Sequence, residues 1–186
     1  PIEPLPTDSI TAVLIDISDS LSITQKKDLE NQLDKLRDTI PRYGRLEIYT
    51  LSELGGSLLA PSVSLCNPGR GREIDPLTGN PKQVEEKWKK GFDKPISMAI
   101  EGLVETSPQH SSEILKSIQS GTLTGLRTRE RDHLTHKLII VSDLMQNTQD
   151  ANFYKGIPKP KDFLQSRAYQ ESMADLKNVC LLYTSD

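Results

Sequence analysis

Three stretches of this sequence set oxygen-bearing side chains at spacings that could hold a metal ion. Asp16-Ile17-Ser18-Asp19-Ser20 places one carboxylate and two hydroxyls on alternate residues, at the end of an apolar run. Ser142-Asp143 follows a second apolar run in the same way, and Ser111-Ser112 precedes Glu113-Ile114-Leu115-Lys116-Ser117-Ile118, whose apolar spacing is helical. In an extended segment alternate residues share a side, so Asp16, Ser18 and Ser20 point together and Asp19 points away. Hydroxyls and carboxylates suit a hard cation. Magnesium asks for octahedral oxygen ligands, usually one or two carboxylates with water completing the shell. A set poor in carboxylate leaves positive charge on the ion, and that charge attracts an external anion. The same residue types also cap helices, so the local pattern taken alone fits ordinary loops as well.

Other chemistry is sparsely represented. No Cys or His group has zinc spacing. His133 and His136 are three residues apart in a polar stretch with no third ligand near them, and they read as solvated surface. Cys66 and Cys180 are compatible with a disulfide, but Cys180 lies inside an apolar run and reads as a buried free thiol. Arg70 and Arg72 stand in a glycine-rich loop that has neither a Walker A lysine nor a G-x-G-x-x-G string, so they predict a solvated turn rather than a phosphate cradle. Lys87, Lys89, Lys90 and Lys94 surround Trp88 and read as the solvated face of a helix with Trp88 packed inward.

The elements that would position these residues alternate. Residues 11–17 (TAVLIDI), 46–51 (LEIYTL), 138–142 (LIIVS) and 179–183 (VCLLY) are short apolar runs that predict strands, the first buried on both faces. Residues 57–65 predict a third strand, at an edge because Pro61 interrupts it. Ser22-Ile23-Thr24-Gln25 is a capping box, and Leu29, Leu33, Leu36 and Ile40 then mark one helical face. Helical spacing recurs over 82–90, 96–105, 112–120 and 162–177, whereas 66–81 is dense in turn signals and 121–136 has no clear period. Strands alternating with helices, with continuously apolar central strands, predict an α/β domain: a three-layer, doubly wound, Rossmann-like and mostly parallel sheet. Ligands of such sheets bind outside the carboxyl ends of the strands, where the strand order reverses. Asp16 and Asp143 fall at such ends.

The chain has 186 residues with 23 Lys plus Arg against 26 Asp plus Glu, a formal charge of −3. One domain with a real core is the expectation at roughly 150 residues per domain. The slight acidity argues against an electrostatic nucleic-acid binder. Hydrophobic residues at 35% and a mean hydropathy of −0.48 describe a polar but globular chain. No apolar run reaches the length of a transmembrane helix or signal peptide. Residues 1–10 read as a proline-rich tether leading out of a preceding segment, and residues 11–186 as the single domain, with an irregular insertion at 66–81.

Asp16-x-Ser18-x-Ser20, followed at distance by Asp143 after a later strand, resembles the D-x-S-x-S signature of von Willebrand factor A domains such as integrin I domains. The resemblance implies a metal-ion-dependent adhesion site: Ser18 and Ser20 as direct ligands, Asp16 direct or through water, a hydroxyl from a third loop, and Asp143. Ser112 fits the third-loop position, with Ser111 as the near alternative. Two departures stand out: Ser112 replaces the family's usual Thr, and Leu144 replaces the Gly that commonly follows the last Asp. The pattern also stops before the family's final helix and strand. More loosely, Cys66-Asn67-Pro68-Gly69-Arg70-Gly71 and Ser142-Asp143-Leu144-Met145-Gln146 are similar to stretches of uncharacterised bacterial proteins that carry such a domain behind one N-terminal membrane helix. That similarity implies an extracytoplasmic, membrane-tethered domain.

The function these readings predict is a metal-ion-dependent protein-binding module. Mg²⁺ or Mn²⁺ would be weakly bound at the sheet's carboxyl edge and would accept an acidic side chain from another protein, with Gln146 and Asn147 at the rim of the contact. No nucleic acid is expected, and a membrane only through a tether. Two alternatives are a metal-free scaffold of the same fold and a Mg²⁺-dependent phosphoryl-transfer enzyme. The enzyme is disfavoured because Ser18 stands where D-x-D chemistry needs a second carboxylate, and no Ser/His or Cys/His pair lies at the strand ends.

Overall fold

The computed structural model describes residues 8–16, 22–51, 59–104, 113–128, 130–142, 144–146, 148 and 151–184. Five strands, β1 (Ser9–Asp16), β2 (Arg45–Leu51), β3 (Val63–Cys66), β4 (Thr135–Val141) and β5 (Val179–Thr184), form one sheet in the order β3-β2-β1-β4-β5. β1 pairs in parallel with β2 and β4, β4 pairs in parallel with β5, and β3 alone runs antiparallel, against β2. The predicted doubly wound, mostly parallel sheet is present. β1 begins at Ser9, inside the stretch read as tether. Of the strand expected at 57–65, residues 57 and 58 lie outside the described residues, and among the rest the strand starts at Val63, beyond Pro61, which lacks the N–H a ladder needs.

The central strands are apolar throughout because both faces are covered. On one face Val13, Ile15, Ile48 and Ile139 meet Leu29 and Leu33 of α1 (Ile23–Thr39) together with Trp88, Phe92, Ile96 and Ile100. The last four belong to α2 (Pro81–Trp88), a π-helical turn (Lys89–Asp93) and α3 (Lys94–Val104), which follow one another without a break. On the other face Ile10, Ala12, Leu14, Tyr49, Leu138 and Ile140 meet Ile114 of α4 (Ile114–Gly121) and Leu126, in the π-helical turn that extends it (Thr122–Leu126). The period of two along β1 thus assigns odd residues to one helical layer and even residues to the other. α1 starts where the capping box requires. Ser22 Oγ accepts from Gln25 N–H, and Gln25 Oε1 accepts from Ser22 N–H at 2.9 Å.

The 66–81 insertion is tied down. Asn67 donates to the Ile40 carbonyl at 2.8 Å, Gly71 N–H donates to Glu85 at 2.8 Å, and the Arg70 guanidinium stacks 3.5 Å from the centroid of Trp88 while pairing with Glu85 and Asp38. Arg70 is therefore a packing residue, and Trp88 is buried as expected.

Three expectations are corrected. Residues 162–177 do not form one helix: α5 (Pro160–Leu164) and α6 (Arg167–Gln170) are separate and short, split where the Ser166 hydroxyl accepts from Tyr169 N–H and starts a new N-terminus. His136 is buried on β4, with Nε2 2.8 Å from the Arg131 carbonyl, rather than solvated. Cys180 is exposed rather than buried, because β5 is the outer strand of the described sheet, and no disulfide joins it to Cys66. On β5, Leu181, Leu182 and Tyr183 are 44%, 48% and 64% exposed. No helix among the described residues is long and apolar enough to cross a membrane.

Candidate metal centre

β1 is the hinge of the topology. The chain passes from it to β2 on one side and enters β4 on the other, with α1 and α4 on opposite faces. The crevice outside the carboxyl ends of β1 and β4 is therefore the place where this architecture opens a binding site. The register sets Ile15 beside Val141, so Asp16 and Ser142 are the next residues on either side of that crevice.

They meet. Ser142 Oγ donates to Asp16 Oδ2 at 3.0 Å and accepts from Leu144 N–H at 2.9 Å. Ser142 is buried, and its hydroxyl at once orients the Asp16 carboxylate and receives the Leu144 N–H of the segment that follows β4. Leu144 sits in that turn at φ +59°, in the left-handed region that favours glycine. The position at which the family resemblance expects Gly thus has a backbone that explains the preference. Here a leucine occupies it and packs against the second core layer.

Gln146 overturns its expected role at the rim. It is buried, its Oε1 accepts from Leu115 N–H at 3.1 Å, its Nε2 donates to Thr148 Oγ1 at 3.3 Å, and its carbonyl accepts from Phe153 N–H at 2.8 Å. Gln146 therefore bolts the N-terminus of α4 to the segment leaving β4. This contact brings the beginning of α4, which Ser111 and Ser112 precede in sequence, to the same edge as Asp16. Ser18, Ser20, Ser111, Ser112, Asp143 and Asn147 lie outside the described residues. Of the expected site residues, the structure places Asp16 at the crevice and Gln146 in the framework beneath it.

The described part of the crevice offers oxygen: the Asp16 carboxylate, with the Ser142 hydroxyl hydrogen-bonded to it. Among the described residues no three His, Cys, Asp or Glu side chains converge, at this crevice or elsewhere. Oxygen donors of this kind suit magnesium or manganese better than soft metals. Ser142 supplies the outer hydrogen bond that typically fixes a metal-binding carboxylate. Sequence reasoning noted Ser142 as a hydroxyl at a strand end but did not assign it this role; the signal was its place one residue before Asp143.

No family model matches the chain, and no curated protein matches it. Solved structures do. Proximal thread matrix protein 1 (PTMP1) from the mussel byssus superposes with a TM-score of 0.52 at 12% identity, over 96% of this chain and 38% of its own. A second PTMP1 structure, with a zinc-occupied MIDAS motif, gives 0.51 at 12% identity over the same shares. The SpRpn10 VWA domain gives 0.45 at 9% identity, over 95% of this chain and 88% of its own. The chain thus spans 38% of the length of the PTMP1 structures. The fold is von Willebrand factor A-like, as the sequence resemblance implied.

Proposed function

We propose that this domain is a metal-ion-dependent protein-binding module, with Mg²⁺ or Mn²⁺ held weakly at the carboxyl edge of the sheet and completed by an acidic side chain of another protein. The observation that carries the reading is the Asp16 carboxylate at the topological crevice, held by the buried Ser142 hydroxyl of the neighbouring strand. A solved structure of similar fold carries a zinc-occupied MIDAS motif, which supports a metal at this edge.

In this reading Ser18, Ser20 and Ser112 supply neutral oxygens, while Asp16 and Asp143 bind directly or through water. The ion, when bound, supplies residual positive charge that a partner's carboxylate neutralises. The chain's own part is to keep the oxygens in place. Ser142 fixes Asp16, the strand register brings β1 and β4 side by side, and Gln146 holds the start of α4 against the segment after β4.

Calorimetric titration of the whole chain with Mg²⁺ and Mn²⁺ tests this. Binding heat and a thermal shift are expected, with both lost in Asp16→Ala and in Asp143→Ala. Absence of heat and of any thermal shift at millimolar metal in the unaltered chain overturns the reading.

A further inference from the structure

Residues 154–162, Tyr-Lys-Gly-Ile-Pro-Lys-Pro-Lys-Asp, are exposed without interruption. The two ends of this stretch are pinned together. The rings of Phe153 and Phe163 meet edge to face with centroids 5.9 Å apart, and Tyr169 packs on Phe163 at 5.6 Å. Phe153 is in turn joined to the framework of the candidate site through its N–H on the Gln146 carbonyl. The stretch runs from a 3-10 turn (Phe153–Lys155) through residues 156–159 into the first turn of α5, so both of its ends are anchored in helical turns that share an aromatic base.

The loop is stiff. Pro158 and Pro160 fix φ near −65°, and Gly156 turns the chain at φ +147°. Little conformational freedom remains to be lost when something docks on it. Its exposed groups are of two kinds. Tyr154 is 54% and Ile157 78% exposed. Lys155, Lys159 and Lys161 stand against Asp162, so the loop carries 3 − 1 = +2 in a chain whose formal charge is −3. Among the described residues none of the three lysines is in an ion pair.

Gln146 lies four residues beyond Ser142, at most about 14 Å of chain. A standard protein interface of about 800 Å² per partner is roughly 30 Å across. Ser142 touches Asp16 and Gln146 touches Phe153, so residues 154–162 adjoin the framework of the crevice, and a partner whose footprint extends from Asp16 toward Phe153 would meet them.

We infer that residues 154–162 are the second contact of the partner that meets the metal: an acidic protein segment that lays an apolar side chain against Tyr154 and Ile157 and faces carboxylates toward Lys155, Lys159 and Lys161. The inference rests on the proposed metal-dependent function for the first contact, and on charge complementarity and exposed apolar surface for the second.

A displayed library of random twelve-residue peptides, selected on the whole chain in Mg²⁺, tests it. The expected result is recovery of peptides in which Asp or Glu flanks an apolar residue. Their affinity should fall at least tenfold for the triple variant Lys155→Glu/Lys159→Glu/Lys161→Glu, whose melting temperature and Mg²⁺ titration stay unchanged because all three side chains are exposed. A Tyr154→Ser/Ile157→Ser variant should weaken the same peptides without altering their salt dependence. Selection that yields no binders, yields binders without acidic enrichment, or yields binders indifferent to both variants overturns the inference. Peptides that need Mg²⁺ yet ignore the loop variants leave the metal reading standing and remove only this one. Peptides that need the loop yet bind equally in EDTA keep the loop contact and remove the metal reading. Lysine-dependent binding to phosphatidylserine–phosphatidylcholine vesicles, without peptide recovery, replaces the protein segment with a lipid surface and overturns the inference.

Discussion

Glu47 offers the most direct test of how this fold is held together. It lies on β2, 1% exposed, with its carboxylate surrounded by donors. Tyr49 Oη donates at 2.7 Å and Ser64 Oγ at 3.0 Å, and Arg131 Nη1 lies 3.1 Å from each carboxylate oxygen while also donating to the Gly125 carbonyl at 2.7 Å. Glu47→Ala removes the acceptor for all three donors. One-sided loss of a buried ion pair costs about 3–5 kcal/mol. The Arg131 side chain is 25% exposed, so water compensates part of the loss and the low end of about 3 kcal/mol applies. The buried Tyr49 hydroxyl is left without this acceptor, at about 1 kcal/mol or more. The expected total is about 4 kcal/mol, a large share of the roughly 5–15 kcal/mol typical of a domain. Urea unfolding at neutral pH measures it, as a lower midpoint at unchanged slope. Glu47→Gln, which keeps an acceptor oxygen and the side-chain volume, should lose about half as much and serves if the alanine variant fails to fold. The double variant Glu47→Met/Arg131→Met should recover most of the loss. Mg²⁺ titration should not change in any variant that folds. Glu47 pairs with Ala12, four residues or about 13 Å along β1 from Asp16. A loss below about 1 kcal/mol for Glu47→Ala would refute the reasoning, since it would mean that three donors replace a buried carboxylate with water at almost no cost.

Three further outcomes follow from the same geometry. A methyl group at Gly125 would lie 2.7 Å from Tyr49 Oη, so Gly125→Ala should cost about 1–3 kcal/mol in urea unfolding, and Tyr49→Phe in the same chain should give part of it back. Burial, and then the Glu47 carboxylate, push the Tyr49 phenol well above its ordinary 10.0. The folded state keeps a proton that the unfolded chain releases, so this contribution is intact below about pH 10 and declines as pH rises beyond it. Unfolding measured across that range should show the decline, and Tyr49→Phe should flatten it. Ser142→Ala removes the hydrogen bond that orients Asp16. It should cost about 1 kcal/mol of stability and weaken Mg²⁺ binding about 10–100-fold by calorimetry, and undiminished affinity would deny Ser142 its orienting role.

What the sequence disclosed and what it hid have physical causes. The runs 11–17, 46–51 and 138–142 were legible as strands because they are short and largely apolar, the first as a strand buried on both faces, and the Ser22–Gln25 box was legible because capping is local. Helix splitting at Ser166 was not, since the apolar spacing of Tyr169, Met173 and Leu176 looks the same whether or not the backbone stays helical. His136 misled because its neighbours in sequence are polar while its neighbours across the sheet are Ile10 and Val179. At the candidate site, Asp16 could be placed from its position at the end of an apolar strand. Gln146 could not, because its partner Leu115 is 31 residues away and local composition carries no trace of that bond. Glu47 carried no signal as a single carboxylate inside LEIYTL, because two of its three donors come from β3 and from the stretch before β4.

The outer strand of the sheet has a consequence for how this molecule behaves in bulk. From Val179 to Thr184 it carries neither charge nor proline, the guards that normally keep a strand margin from recruiting another. Leu181 and Tyr183 share a side with Leu138 and Ile140, and Leu182 shares the opposite side with Ile139, so the margin is greasy above and below. A margin of this kind is a ready template for main-chain pairing, so another strand laid along it would gain both hydrogen bonds and apolar cover.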